Sequence, residues 1–158
     1  MCRKLDASGL EDMTELLAAF GQSWRPVAKE SLYEGRKVMR EELLRQIDAL
    51  PVTGHDDYYP DFLRPLRAIR PTEKKGLKEG LRIFKMETGD DGVSVSISFD
   101  GYNDWHRPNI LIARSLAKGS SMQQPNKFVS KAFSNAKNKS EKAIQDRVTA
   151  IVVKTFRP

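Results

Sequence analysis

Residues 81–99 read LRIFKMETGDDGVSVSISF, and the second half of that stretch decides the fold class. From Val93 to Phe99 apolar residues alternate with serine at every step: Val93, Val95, Ile97 and Phe99 against Ser94, Ser96 and Ser98. Successive side chains of a strand point to opposite faces, so this period of two predicts a strand with one buried and one wet face. Leu81 and Ile83, flanked by Arg82 and Lys85, predict the preceding strand, and Gly89-Asp90-Asp91-Gly92 is the turn between the two. The serine face is short and uncharged. It can lie open to solvent or be covered by something small or by another copy of the chain. Two strands alone bury too little to be stable, so a third or fourth is expected from within residues 52–80 or from a neighbouring subunit.

Helical periods flank the hairpin on both sides. Leu10, Met13, Leu16, Leu17 and Phe20 predict a short first helix, with Ser8 placed to cap it. Trp24, Ala28, Leu32, Gly35, Val38, Met39, Leu43, Ile47 and Leu50 predict a second helix of about 23 to 26 residues, with Pro26 in its first turn and Pro51 ending it. Gly35 stands on the apolar stripe at a propensity cost of about 1 kcal/mol, which calls for another backbone passing close by. Beyond the hairpin, GYNDWHRPN is loop, Pro108 opens a helix of about three turns, and Gly119 is placed to stop it in a left-handed conformation. A last helix over 126–156 carries Phe128, Val129, Ala132, Phe133, Ala136, Ala143, Ile144, Val148, Ile151, Val152 and Phe156 on one stripe. Ser140 alone occupies that stripe between Ala136 and Ala143, where a kink or an exposed waist fits.

Residues 51–78 read differently. Pro51, Pro60, Pro65 and Pro71 interleave with Tyr58, Tyr59, Phe62 and Leu63, a spacing of prolines that predicts loop rather than helix. The aromatic residues of this loop and of the next, Tyr58, Tyr59, Phe62, Tyr102 and Trp105, are the candidates for an interface, with core packing as the alternative for each. The whole chain, 1–158, is expected to be a single α+β domain, a small antiparallel sheet packed by two long helices and short helices.

The chain has 158 residues, 39% of them hydrophobic and 30% charged, enough for a core without cross-links. One cysteine excludes an internal disulfide framework. The opening MCRKLDASGLED lacks the apolar stretch of an export signal, and no apolar run reaches membrane-spanning length, so the cytoplasm is the expected compartment. The net charge of +6 is concentrated at one end: the last 33 residues carry 8 basic and 2 acidic groups, while the remainder is balanced. A basic helix of this kind is either a solvated face or a surface for phosphate, with Lys137, Lys139 and Lys142 as the DNA-facing candidates for nonspecific contact.

Side chains for bond-breaking chemistry are sparse. His55 and His106 are the only histidines, neither in a recognisable motif, and Cys2 sits where a rigid setting for a thiolate is hard to build. His55-Asp56-Asp57, with His106 and Asp104 elsewhere, is the best metal-like group, but neighbouring residues on one loop seldom converge on one ion. KKGLKEGLR has two glycines but neither the preceding strand nor the GKS or GKT ending of a phosphate loop. These observations point away from an enzyme, and no cofactor or metal is expected.

The stretch GSSMQQPNKFVSKAF, residues 119–133, resembles the signature opening the last helix in the tail-component family of HK-ninety-seven-like long-tailed bacteriophages and prophages. Gly119, Ser120, Phe128, Ala132 and Phe133 match that signature, while Lys127 and Lys131 stand where the family has prolines and Pro125 falls one place later than the pattern. The likeness extends to GLEDMTELL near the N-terminus, to a long helix ending in LPVTG, and to GLKEGLRI leading into the hairpin. The resemblance implies a structural protein of the head–tail junction, a tail-completion or head–tail joining protein of the virion. It would assemble in the host cytoplasm as a ring, with six copies the expected number, and dock to tail-tube and connector proteins. Gly119 and Phe128 would form its structural hinge.

Overall fold

The structure is a computed structural model, and it describes residues 3–6, 24–53, 68–89, 92–119 and 124–156. Helix α1 (Trp24–Asp48) has 25 residues, as its stripe requires. Val27, Ala28, Ser31, Leu32, Met39, Leu43 and Ile47 are buried along one side, Leu50 is buried just past its end, and Pro51 follows. Helix α2 (Pro71–Gly80) runs directly into strand β2 (Leu81–Ile83). Strand β3 (Glu87–Thr88), strand β4 (Val93–Phe99), helix α3 (Asn109–Lys118) and helix α4 (Phe128–Phe156) complete the order, preceded at the start of the chain by strand β1 (Arg3–Asp6). This is an α+β fold with a small antiparallel sheet.

Strand β4 is the centre of that sheet. Val93, Val95, Ile97 and Phe99 are buried while Ser94, Ser96 and Ser98 are half-buried, the alternation read from the sequence. The turn is closed by Gly89 N donating to Gly92 O at 2.8 Å, and β3 pairs antiparallel with β4, Glu87 opposite Ser94 and Thr88 opposite Val93. The sheet order is β1-β4-β2, with β3 also on β4. A third strand is supplied from outside 52–80, within the chain itself. It is β1, antiparallel to β4 with Leu5 opposite Val95. Arg-Lys-Leu-Asp holds one apolar residue and no alternation, so its strand character comes from the partner rather than from its own pattern.

The expected loop 51–78 is also corrected in part, because α2 occupies its last eight residues. Pro71 stands in the first turn, where a missing N–H costs nothing, and no proline follows it in the helix. Glu73 Oε2 accepts from Arg70 N at 3.0 Å and satisfies one of the exposed donors at the helix start. Ahead of α2, Thr53 N donates to Ile69 O and Ile69 N to Pro51 O, each at 2.9 Å, in a parallel bridge of Val52 with Ile69.

The chain divides into two compact units, one of Arg40–Arg82 with Ser98–Asn135, the other of Cys2–Met39, Ile83–Ile97 and Ala136–Pro158. In the second unit α1 and α4 meet at Gly35. A Cβ there would lie 2.7 Å from Cγ1 and Cδ1 of Ile144 and 2.9 Å from the Ser140 hydroxyl, so any larger residue would have to push these side chains aside. Ser140 is 1% exposed and donates through Oγ to Gly35 O at 2.9 Å. The thin part of the α4 stripe is thus a buried contact and not an exposed waist, since a small residue is what lets the backbones approach. Val27 packs with Val148, Ile144, Ile151 and Val152, and Ala28, Leu32 and Val93 pack with Met86 and Ile144. In the first unit the Phe99 and Phe128 rings are 6.2 Å apart and tilted by 53°, and α2 packs on α3. The first helix expected over Leu10–Phe20 lies outside the described residues.

Candidate interaction surface

Between β4 and α3 the chain runs DGYNDWHRP, residues 100–108, and fastens itself with its own backbone. Asn103 N donates to Arg107 O at 3.0 Å, His106 N to Asn103 O at 2.9 Å, and Asn109 N to Gly101 O at 3.0 Å, while a bridge pairs Tyr102 with Pro108. Oδ1 of the buried Asn103 accepts from Trp105 N at 3.1 Å and Arg107 N at 2.9 Å, the local turn chemistry for which a short amide is suited. Gly101 and His106 take positive φ values of 73° and 54° to close the turn.

Helix α2 supports this loop. Gly76 and Gly80, one turn apart, present bare backbone to it: a Cβ at Gly76 would lie 2.6 Å from Asn109 Oδ1 and 2.9 Å from Asn103 Cβ, and one at Gly80 would run into Asp100 O. Asp100 N donates to Gly80 O at 2.7 Å, and Asn109 Nδ2 donates to Asp100 O at 2.8 Å. Glu73, 4% exposed, accepts from Arg107 Nη1 at 3.2 Å in addition to Arg70 N. Lys75 Nζ reaches Asp104 at 3.2 Å, which raises the lysine pKa; both groups are more than half exposed, so the pair contributes little stability.

What this scaffold holds outward is aromatic. Tyr102 is 68% and Trp105 46% exposed, and the Arg70 guanidinium lies over the indole, 4.8 Å from its centroid. An aromatic side chain fixed in place offers about 150–250 Å² of contact area, at small entropy cost because two torsions describe it. Both loop aromatics are therefore where the sequence placed interface candidates. The residues that fix them, Arg70, Glu73, Asn103, Arg107 and Asn109, were not singled out by the sequence reading. Gly76 and Gly80 at i, i+4 on one helix face were the signal available for them.

The other predicted positions are distributed. Tyr58, Tyr59, Phe62 and Ser120 lie outside the described residues, as does the His55-Asp56-Asp57 group. Gly119 ends α3 where expected, and its N–H donates to Ser115 O at 2.8 Å; its φ of 76° is positive, as glycine allows, but its ψ of 176° is extended rather than that of a left-handed helical cap. Phe128 and Ala132 are buried at 1% and 0%, and Phe133 is half-buried. Lys137, Lys139 and Lys142 are exposed on the part of α4 in the second unit, with no ion pair among the described residues.

An open concavity of about 440 Å³ is lined by Val52, Pro71, Lys74, Lys75, Lys78 and Glu79. Its cations are already engaged: Lys74 Nζ donates to Asp48 O at 2.6 Å and Leu50 O at 3.3 Å, and Lys78 Nζ reaches Asp48 Oδ1 at 2.7 Å, holding the Asp48 pKa down. Among the described residues no cluster of three His, Cys, Asp or Glu could hold a metal, and no helix is long and apolar enough to cross a membrane. No protein-family profile matches the chain, and neither a curated protein nor a solved structure is significantly similar to it.

Proposed function

We propose that this chain is a non-enzymatic assembly protein of a phage or prophage head–tail junction, acting by self-assembly into a ring and by docking to tail-tube and connector proteins. The observation that carries the docking part is the rigid loop 100–108, which spends a buried carboxylate, two buried asparagines and two helix glycines on holding Tyr102 and Trp105 against solvent. Exposed aromatics on a fixed frame are the usual anchors of protein interfaces. The virion part rests on the resemblance around residues 119–133 and is supported by the stop of α3 at Gly119 and by Phe128 and Ala132 buried at the base of α4.

Sedimentation of the full chain over a range of concentrations, alone and with candidate tail-tube and connector proteins, tests this reading. A closed oligomer or a stable complex is expected, and a monomer under every condition contradicts it. The flanking genes provide a second check, with portal, capsid and tail-tube genes expected beside this one.

Lys137, Lys139 and Lys142, exposed and in no ion pair among the described residues, favour a second reading, a DNA-binding accessory protein. In that case log affinity for duplex DNA falls with log salt by about 0.9 per phosphate contacted, and alanine at all three positions flattens the slope by up to about three units. Binding that is indifferent to salt removes it.

A further inference from the structure

The charges on the first half of α1 are sorted by side. Arg25, Lys29, Tyr33 and Arg36, all in the second unit, follow one another at spacings of four, four and three residues. At 3.6 residues per turn these positions stay within an arc of about 80°. Arg25, Lys29 and Tyr33 are exposed, Tyr33 by 44%, and Arg36 is half-buried. The arc lies away from α4, because Val27 and Gly35, on the other side of α1, are what meet Val148, Ser140 and Ile144. The two acids between Arg25 and Arg36 stand off the arc and are engaged: Glu30 accepts from Arg147 of α4, and Glu34 accepts from Lys37 at 2.9 Å. The arc therefore carries three cations, one phenol ring and no carboxylate.

Within it the Arg36 guanidinium stacks on Tyr33, 3.5 Å from the ring centroid. Stacking covers one face of the guanidinium and leaves its edge, where the N–H groups lie, clear of the ring. That edge is the fork that pairs bidentately with phosphate oxygens. The lysines of α4 are not sorted in this way. By the same helical arithmetic Lys137 lies about 140° from Lys142 and about 160° from Lys139, so one straight polyanion does not meet all three.

We propose that the 25–36 arc of α1 is a face for the phosphate backbone of duplex DNA, bound without regard to sequence. This rests on the DNA-binding reading and gives it a face apart from α4. Charge density selects the occupant. The arc is about 16 Å long, and a duplex sets a charge at about every 1.7 Å of its axis, with condensed counterions to release. One face of an acidic helix repeats its carboxylates only about once per turn of 5.4 Å.

Anisotropy of a labelled duplex of arbitrary sequence, titrated with the full chain from about 50 to 200 mM salt, tests the proposal, with circular dichroism to establish that each variant folds. The wild type is expected to bind with log affinity falling linearly in log salt. Lys29→Gln with Arg36→Gln is expected to flatten that slope by about two units, and each change alone by about one. Poly-glutamate at equal charge is expected to displace the duplex far less well than unlabelled duplex does. A double variant with the wild-type slope overturns the α1 face; loss of slope in Lys137→Gln, Lys139→Gln, Lys142→Gln would then keep the DNA-binding reading on α4 alone. Displacement by poly-glutamate as effective as that by duplex puts an acidic polypeptide on the arc and overturns the proposal. A wild type that binds no duplex, or binds it without salt dependence, overturns both the face and the reading beneath it.

Discussion

Glycine makes room for a close approach in both units, and the two uses differ in what they bring together. At Gly35 the neighbours are Ile144 and the methylene-borne hydroxyl of Ser140, joined to the surrounding apolar cluster of Val27, Leu32 and Val148. At Gly76 and Gly80 the neighbours are backbone and amides, Asp100 O, Asn103 and Asn109. The first approach stabilises a helix pair by packing. The second holds a loop by backbone and amide hydrogen bonds rather than by apolar packing.

The comparison predicts unequal responses to the same substitution. Gly80→Ala forces a Cβ against the Asp100 carbonyl, which is backbone and cannot swing aside, so a loss of about 3 kcal/mol in chemical denaturation is expected. Gly35→Ala meets the end of an isoleucine side chain, which can shift, and regains helix propensity, so about 1–2 kcal/mol is expected. Equal losses at the two positions would erase the distinction drawn here.

Acid sharpens the contrast further along the same two helices. In the first unit Glu42 on α1, with its side chain 12% exposed, accepts from Arg45, Gln46 and Asn135. The Arg45 hydrogen bond, more than the others, holds its pKa down to about 2 from 4.5. A carboxyl with a depressed folded pKa contributes stability above its unfolded value and loses it as pH falls through the folded one. Stability is therefore expected to drop by about 2 kcal/mol between pH 4.5 and 2, and Glu42→Gln to remove most of that slope. The contact of Gly35 with Ser140 and Ile144 contains no titratable group, so amide exchange around it should keep its pH profile. The smallest stability effect belongs to the outward aromatics: Tyr102→Ala with Trp105→Ala is expected to change folding by about 0.5 kcal/mol or less.

Much of the first contrast was legible in the sequence. The α1 stripe, the β4 alternation and the stop at Gly119 depend on local periods and on single-residue conformational demands, which a sequence displays directly. Gly35 on an apolar stripe announced a close approach because nothing else accounts for a glycine there. The polar frame was hidden for the opposite reason. Glu73 and Arg107 are 34 positions apart and meet only through the fold, and Pro71 looked like a helix breaker until its place in the first turn was known. β1 escaped notice because Arg-Lys-Leu-Asp has no pattern of its own. Its pairing supplies a strand that was expected from 52–80 or from a neighbouring subunit.

The central claim is that loop 100–108 is held rigid in order to dock. Titration of tail-tube and connector proteins into the wild type and into the Tyr102→Ala, Trp105→Ala variant tests it most directly, with thermal unfolding of both in parallel. Matching unfolding curves with binding at least about tenfold weaker in the variant are predicted, a loss typical of two interface anchors. Equal affinity from an equally stable variant would contradict the account.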